Sequence, residues 1–245
     1  MKLSFKIYIV LTVLFAQNLL LSQIKPPGNV LNPHAWIKAK KIGSFYVLEN
    51  VLHTAEIELP SATEGIMFNG NPSIFFDAQK DSLSIKLTKE QAKGQTLFIV
   101  YKLKATDKEQ FIWNSTANNK TISIATTDRL ANLDTYKYKT YSNSVEKNKA
   151  NIHFYHHNKS NLKTGDYSIS IGKNTKEQLP PQVFKGFISE VLVYNRVLSI
   201  ADSQKVASYL AIKYGITLSQ LDTKNYVNSS GAVIWEYEKH KKFSD

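Results

Sequence analysis

The chain of 245 residues contains no cysteine. It therefore forms no disulfide, thiolate metal site, iron–sulfur cluster, cysteine nucleophile or lipid-modified cysteine. Glycine (10) and proline (7) are also few, whereas 42% of the residues are hydrophobic and 11% are aromatic. This composition supplies enough apolar material for a packed core and excludes a collagen-like or disordered chain.

Arginine is scarce in a chain that is otherwise basic. Lys and Arg number 31 against 20 Asp and Glu, a net charge of +11, yet the only arginines in the sequence are Arg129 and Arg196. Recognition of base edges and phosphates relies on the planar guanidinium group, so we expect no nucleic-acid partner. A cationic surface would attract an acidic glycan or a cell-envelope polysaccharide, but a solvated lysine-rich face is the simpler interpretation.

Long apolar runs are rare, and the longest lies at the amino terminus. Lys2 and Lys6 precede the apolar residues 7–16, and small and polar residues follow at Ser22-Gln23. This order predicts a cleaved secretory signal in residues 1–22 and hence an exported protein, either secreted or at the cell surface. A membrane-spanning helix needs about 20 uninterrupted apolar residues, and Gln17-Asn18 interrupt this run. We therefore expect no stable membrane span after cleavage.

The rest of the chain consists of short segments rich in β-branched and aromatic residues. Apolar residues alternate with polar ones in Leu83–Leu87 and Tyr167–Ile171, which predicts half-buried strands. The continuous apolar runs Leu97–Tyr101 and Phe187–Tyr194 predict central strands covered on both faces. About ten strands without intervening helices predict an all-β fold, an antiparallel β-sandwich or jelly roll.

One helix is predicted late in the chain, over Ser199–Gly215. Ser199 is a helix N-cap with Asp202 three residues later, and Gly215 is a C-terminal stop signal. An apolar stripe at helical spacing is expected to pack on the sandwich; it comprises Ala207, Leu210, Ala211 and Tyr214.

Several stretches resemble a known superfamily. Phe68–Asp77, followed by Thr96–Tyr101, resembles the first half of a laminin-G-like, concanavalin-A-type jelly roll. Phe184–Ser199 resembles that superfamily's late strand, with its G-x-I-x-E-x-x-x-Y-x-R-x-L-S run into a terminal helix. Tyr209–Leu218 and Asn225–Trp235 are similar to large exported surface proteins of gliding and related Gram-negative bacteria.

The resemblance implies a laminin-G-like domain over residues 24–222 and the start of a further, truncated module over residues 223–245. It also implies a non-catalytic recognition or adhesion module, carbohydrate-binding, at the bacterial cell surface and within a longer surface protein. Two alternatives stay open. One is a polysaccharide-cleaving glycoside hydrolase or lyase on the same fold, and the other is an inert structural spacer.

Aromatic rings are the candidate sugar platforms, because the C–H face of a sugar stacks on them. The candidates are Trp36, Trp113, Tyr136, Tyr138 and Tyr141, and the alternative for each is a place in the core. Glycosidases of this fold place acids as E-x-D-x-x-E on one strand, and nothing here matches. Glu56 and Glu58 put two carboxylates on one strand face without the third acid, as do Glu236 and Glu238, so no catalytic residue is assigned. Glu190 stands alone and is expected to pair with a lysine.

Two further groups have the chemistry of metal ligands. Asp77 and Asp81 lie at a turn where laminin-G-like domains can hold calcium, the one cofactor considered, although two acids around Lys80 are few for an ion that takes six to eight oxygens. The alternative is that they cap their own turn. His153, His156 and His157 alternate between strand faces, which favours an exposed strand end over a zinc site.

Overall fold

The computed structural model describes residues 25–53, 55–61, 64–87, 94–104, 108–117, 120–132, 137–140, 149–158, 167–172, 183–218 and 225–240. These residues form mostly strands, in two large antiparallel sheets and one hairpin, together with one long helix. The predicted mostly-β class is confirmed. The signal sequence predicted in residues 1–22 lies outside the described residues.

Sheet A is seven-stranded in the described part of the chain, with the order β12-β7-β14-β1-β2; in addition β5 pairs with β14, and β4 pairs with β5. Its strands are β1 (Ala35–Ile42), β2 (Phe45–Asn50), β4 (Gly65–Phe68), β5 (Asn71–Asp77), β7 (Gly94–Leu103), β12 (Asn151–Asn158) and β14 (Lys185–Tyr194). Strand β14 pairs with β5 through residues 185–188 and with β1 through residues 190–193, and the register shifts between Ile188 and Glu190. Two strands therefore share one edge of β14.

Sheet B is also seven-stranded where the chain is described, in the order β11-β10-β9-β8-β13-β6-β3. Its strands are β3 (Ile57–Glu58), β6 (Ser84–Leu87), β8 (Phe111–Ala117), β9 (Lys120–Thr126), β10 (Arg129–Asn132), β11 (Lys137–Thr140) and β13 (Tyr167–Ile171). Neighbours in this sheet come from distant parts of the sequence, since β13 lies between β6 and β8.

The inner faces of the two sheets form one apolar core. Sheet B contributes Ile85, Ile169 and Trp113, and sheet A contributes Ile99 and Val191, all with 0% exposure. Strand β13 alternates between buried and half-buried residues, as its period of two predicts. The two sheets thus pack face to face as a sandwich.

The outer face of sheet A carries the helix α1 (Ile200–Tyr214). Val206 and Leu210 of the helix cluster with Phe98, Leu192 and Tyr194 of the sheet. This second apolar layer explains why the central strands β7 and β14 are buried on both faces, as their continuous apolar runs predict. The predicted stripe on α1 is buried throughout.

Both ends of α1 are capped as the sequence predicts. The Asp202 N–H donates to Ser199 Oγ at 3.1 Å. Gly215 adopts the left-handed conformation with φ 66°, and its N–H donates to the Ala211 carbonyl. The helix boundaries are therefore encoded locally.

A buried carboxylate joins α1 to sheet A. Glu190 of β14 is 1% exposed and accepts from Trp36 Nε1 at 2.6 Å, from Lys213 Nζ at 2.7 Å and from the Tyr214 hydroxyl at 2.7 Å. Burial, with the Glu190 charge second, raises the pKa of Tyr214, and burial lowers the pKa of Lys213 against the opposing effect of Glu190. The expected lysine partner of Glu190 is confirmed.

The segments before and after the sandwich both pack on α1. The 3-10 turn at Pro27–Asn29 brings Gly28 (φ 65°) so close that a Cβ there would lie 2.6 Å from the Lys205 carbonyl carbon. Residues 225–240 form the hairpin β15 (Tyr226–Val227) and β16 (Val233–Trp235) and the short helix α2 (Tyr237–His240). The Val227 N–H donates to Ser208 Oγ of α1 at 3.0 Å.

We predict that Glu190→Gln lowers the free energy of unfolding by about 3 kcal/mol, because it leaves the Lys213 ammonium without its counter-charge under the helix. Urea denaturation measures this change. Glu49→Gln is the matched control, since Glu49 forms an exposed ion pair with Lys40, and should change the unfolding free energy by at most about 0.5 kcal/mol. Equal effects of the two substitutions would contradict the prediction.

Candidate functional site

The two tryptophans proposed as sugar platforms are buried. Trp36 is 3% exposed and lies between sheet A and α1, where its indole N–H binds Glu190. Trp113 is 0% exposed and lies in the core between the sheets. Neither ring offers a face to a sugar, so both assignments are corrected. The alternation in β1 and β8 predicts which side chains share a face of the strand. Whether a face meets solvent depends on the layer that packs against it.

The three tyrosine candidates stay predictions. Tyr136 and Tyr141 lie outside the described residues. Tyr138 belongs to β11, at the end of sheet B, and pairs with Ala131 of β10, but its side chain is not among those described.

The prediction that His153 lies at an exposed strand end is wrong. His153 is fully buried, and its Nε2 accepts a hydrogen bond from Trp113 Nε1 at 2.8 Å. Burial lowers the pKa of His153 to about 4. The imidazole is therefore neutral at pH 7 with its proton on Nδ1. His156 is exposed, and the side chain of His157 is not described.

The two aspartates proposed for calcium bind their own turn. The Asp77 carboxylate accepts from the Gln79 N–H at 3.1 Å and pairs with Lys185 at 2.9 Å, while Asp81 accepts from the Asp77 N–H at 2.8 Å. Burial acts to raise the pKa of Asp77, but the bonds from Lys185 and Gln79 outweigh it and lower that pKa. Within the described residues, no three acidic or histidine side chains group as metal ligands. The geometry favours the turn-capping alternative for both aspartates.

The outer face of sheet B is lined by polar side chains. Because Ile57, Ile85 and Ile169 point into the core, their strand neighbours point outward. We call this surface the polar face; it comprises Glu56, Glu58, Ser84, Lys86, Asn114, Thr116, Ser168 and Ser170.

Strand pairing arranges the polar face in two adjoining rows. One row runs across four strands through Glu58, Ser84, Ser170 and Asn114. The other begins with Glu56, whose carbonyl accepts from the Lys86 N–H, and continues through Lys86, Ser168 and Thr116. The hydroxyls of Thr116 and Ser168 are hydrogen-bonded at 2.7 Å.

The rows differ in exposure and charge along their length. Glu56, Glu58 and Lys86 are exposed at the edge of the sheet, and an ion pair joins Glu56 to Lys86. The serines and Thr116 are half-buried, and Asn114 is buried. The polar face therefore offers hydroxyl donors and acceptors in its middle and charges of both signs at its edge. The two glutamates are apparent from the sequence, but only strand register shows the serine rows beside them.

Comparison with known proteins finds a family model that matches one part of the chain. Residues 202–245, which include most of α1 and the hairpin, match the family described as "Domain of unknown function (DUF8202)". No curated protein matches the chain.

Among solved structures, the chain is similar to Trypanosoma rangeli sialidase in three complexes. The complex with 2,3-difluoro-KDN has a TM-score of 0.45 and 10% identity, covering 75% of this chain and 33% of the sialidase. The difluorosialic acid covalent intermediate has a TM-score of 0.44 and 9% identity, covering 75% and 34%. The sialic acid complex has a TM-score of 0.42 and 12% identity, covering 88% and 40%. The chain thus spans about a third to two-fifths of the sialidase.

The expectation that the chain is not an enzyme is contradicted by the solved structures named above, which are of a sialidase; their likeness assigns no activity to this chain. That expectation is withdrawn. In the residues that the structure describes, no helix is long and apolar enough to cross a membrane.

We predict that His153 makes the fold acid-sensitive between about pH 6.5 and pH 4. The folded state keeps the imidazole neutral, with a pKa of about 4, whereas the unfolded chain binds a proton below about 6.5, so falling pH favours unfolding. The loss by pH 4 is about 3 kcal/mol in the free energy of unfolding.

Urea denaturation at several pH values checks this dependence. His153→Gln keeps an acceptor for Trp113 and should flatten the slope in this window, whereas His156→Gln, exposed on the same strand, should keep the wild-type slope. Identical slopes for wild type and His153→Gln would refute the prediction.

Proposed function

We propose that the chain is a glycan-binding domain of an exported protein and that the polar face of sheet B contacts the glycan. The observation that carries the proposal is the pair of polar rows across β3, β6, β13 and β8. Serine and threonine hydroxyls donate and accept hydrogen bonds, carboxylates accept and lysine donates. These groups complement the hydroxyls of a polysaccharide laid across the strands.

We also propose that the two sheets are wound as a laminin-G-like jelly roll. The order of strands supports this winding, because the chain passes between the sheets from β6 to β7, from β7 to β8 and again from β13 to β14. Export is proposed from the amino-terminal sequence alone.

Glycoside hydrolysis is the second candidate function, and the two edge glutamates favour it. Glu56 and Glu58 flank the inward-facing Ile57 and so share the polar face. Positions i and i+2 of a strand are about 7 Å apart, within the range of catalytic carboxylate pairs. Glu56 forms an ion pair with Lys86, whereas Glu58 forms no ion pair within the described residues, so the two carboxylates differ in their surroundings as the two roles in glycoside hydrolysis require.

We predict that Ser168→Tyr abolishes glycan binding at the polar face, because a ring at the centre of this face blocks both rows. A glycan array with the purified chain identifies the bound polysaccharide, and calorimetry measures its affinity before and after the substitution. Ser229→Tyr, exposed on the hairpin, is the matched control and should bind like wild type. If no glycan binds, or if both variants bind equally well, the polar face is only a solvated surface and the proposal fails.

Hydrolysis predicts release of reducing sugar from the bound polysaccharide. Glu58→Gln should then slow the release about a hundredfold or more, because general acid catalysis is lost, while binding persists. Glu49→Gln, exposed on sheet A, should leave the rate unchanged. Binding without any release of sugar would remove the hydrolytic candidate and leave the binding role standing.

A further inference from the structure

A recess lies on the outer face of sheet A, on the part formed by β4, β5 and the first half of β14. It encloses about 140 Å³ and is lined by Glu64, Ile66, Phe75, Lys104 and Phe187. It is on the opposite side of the sandwich from the polar face. This size is well below the ~300 Å³ at which pockets begin to enclose drug-sized ligands, so it suits a single sugar unit.

Two aromatic rings form the apolar wall of the recess. Phe75 and Phe187 are direct neighbours on β5 and β14, with ring centroids 5.5 Å apart and planes at 61°. Phe68 also packs edge-on against Phe187, with ring centroids 6.4 Å apart. The rings are thus held in place but remain half-buried, and they offer the recess an apolar surface that complements the C–H face of a pyranose.

Lysines surround these rings. Lys102 is the cross-strand neighbour of Phe187, and the Lys104 ammonium lies 5.3 Å from the centroid of Phe75. Lys185, one row further, is paired with Asp77. Neither Lys102 nor Lys104 forms an ion pair with any described residue. Two cations outside any described ion pair, beside an apolar wall, complement a ligand that has both a C–H face and an anionic group.

We infer that the recess binds one carboxylate-bearing sugar unit of an acidic polysaccharide. The ring of the sugar lies against Phe187, its carboxylate binds Lys102 and Lys104, and Glu64 at the rim accepts from a hydroxyl. Because this site and the polar face lie on opposite faces of the sandwich, the two sites bind independently.

The test is a calorimetric titration of the purified chain with a short oligogalacturonate and with its methyl ester, which has the same sugar ring but no charge. The acid should bind. The affinity for the ester should be lower by about tenfold or more, because the ester loses the charge-assisted hydrogen bonds. Equal affinity for the ester, or no binding of the acid, would overturn the inference.

Matched variants locate the binding. Lys102→Gln with Lys104→Gln should weaken oligogalacturonate binding about tenfold or more. The control, Lys40→Gln with Lys239→Gln, removes the same charge from two exposed positions elsewhere and should bind like wild type. An equal loss in both double variants would show diffuse attraction to a basic protein and would refute the site.

Two further variants separate the wall of the recess from the polar face. Phe187→Leu keeps an apolar side chain but removes the ring, so it should weaken oligogalacturonate binding. A thermal melt checks that the variant is still folded. Unchanged affinity would refute the role of the aromatic wall. Ser168→Tyr should leave oligogalacturonate binding intact. The proposal for the recess and the proposal for the polar face can therefore fail independently of each other.

Discussion

The Glu190 carboxylate is the interaction on which the arrangement of the outer layer depends. A buried charge is tolerated only when it is fully partnered, and here an indole, an ammonium and a phenol each donate to it. These donors come from β1 and from the last turn of α1, so one side chain fixes the helix on the sheet. The helix in turn packs against both Gly28 and the hairpin.

This layering leaves two different surfaces open to ligands. On sheet A, α1 covers the half of the outer face that holds Leu192 and Tyr194, and the half around Phe75 and Phe187 stays open as a recess. On sheet B, the described outer face presents serine, threonine and charged side chains. One surface is aromatic and cationic, and the other is rich in hydroxyl groups.

The sequence predicted helices and strands well where one segment contains the whole pattern that defines them. The caps at Ser199 and Gly215 and the alternation in β13 are such patterns. Sequence failed where the answer depends on what packs against a face, since nothing near Trp36 indicates that α1 covers it, and nothing near His153 indicates that Trp113 donates to it. The rows of the polar face combine strands that are far apart in sequence, so only the register could show them.

The packing of both flanking segments against α1 has a consequence for access. The described chain enters at Pro27 and leaves through the hairpin on one side of the sandwich, while Ser168 and Ser170 look out from the other. If neighbouring parts of a larger assembly attach through either flank, they will crowd the helix and not the hydroxyl-bearing sheet. A tether on that side would leave the polar face of sheet B accessible to solvent.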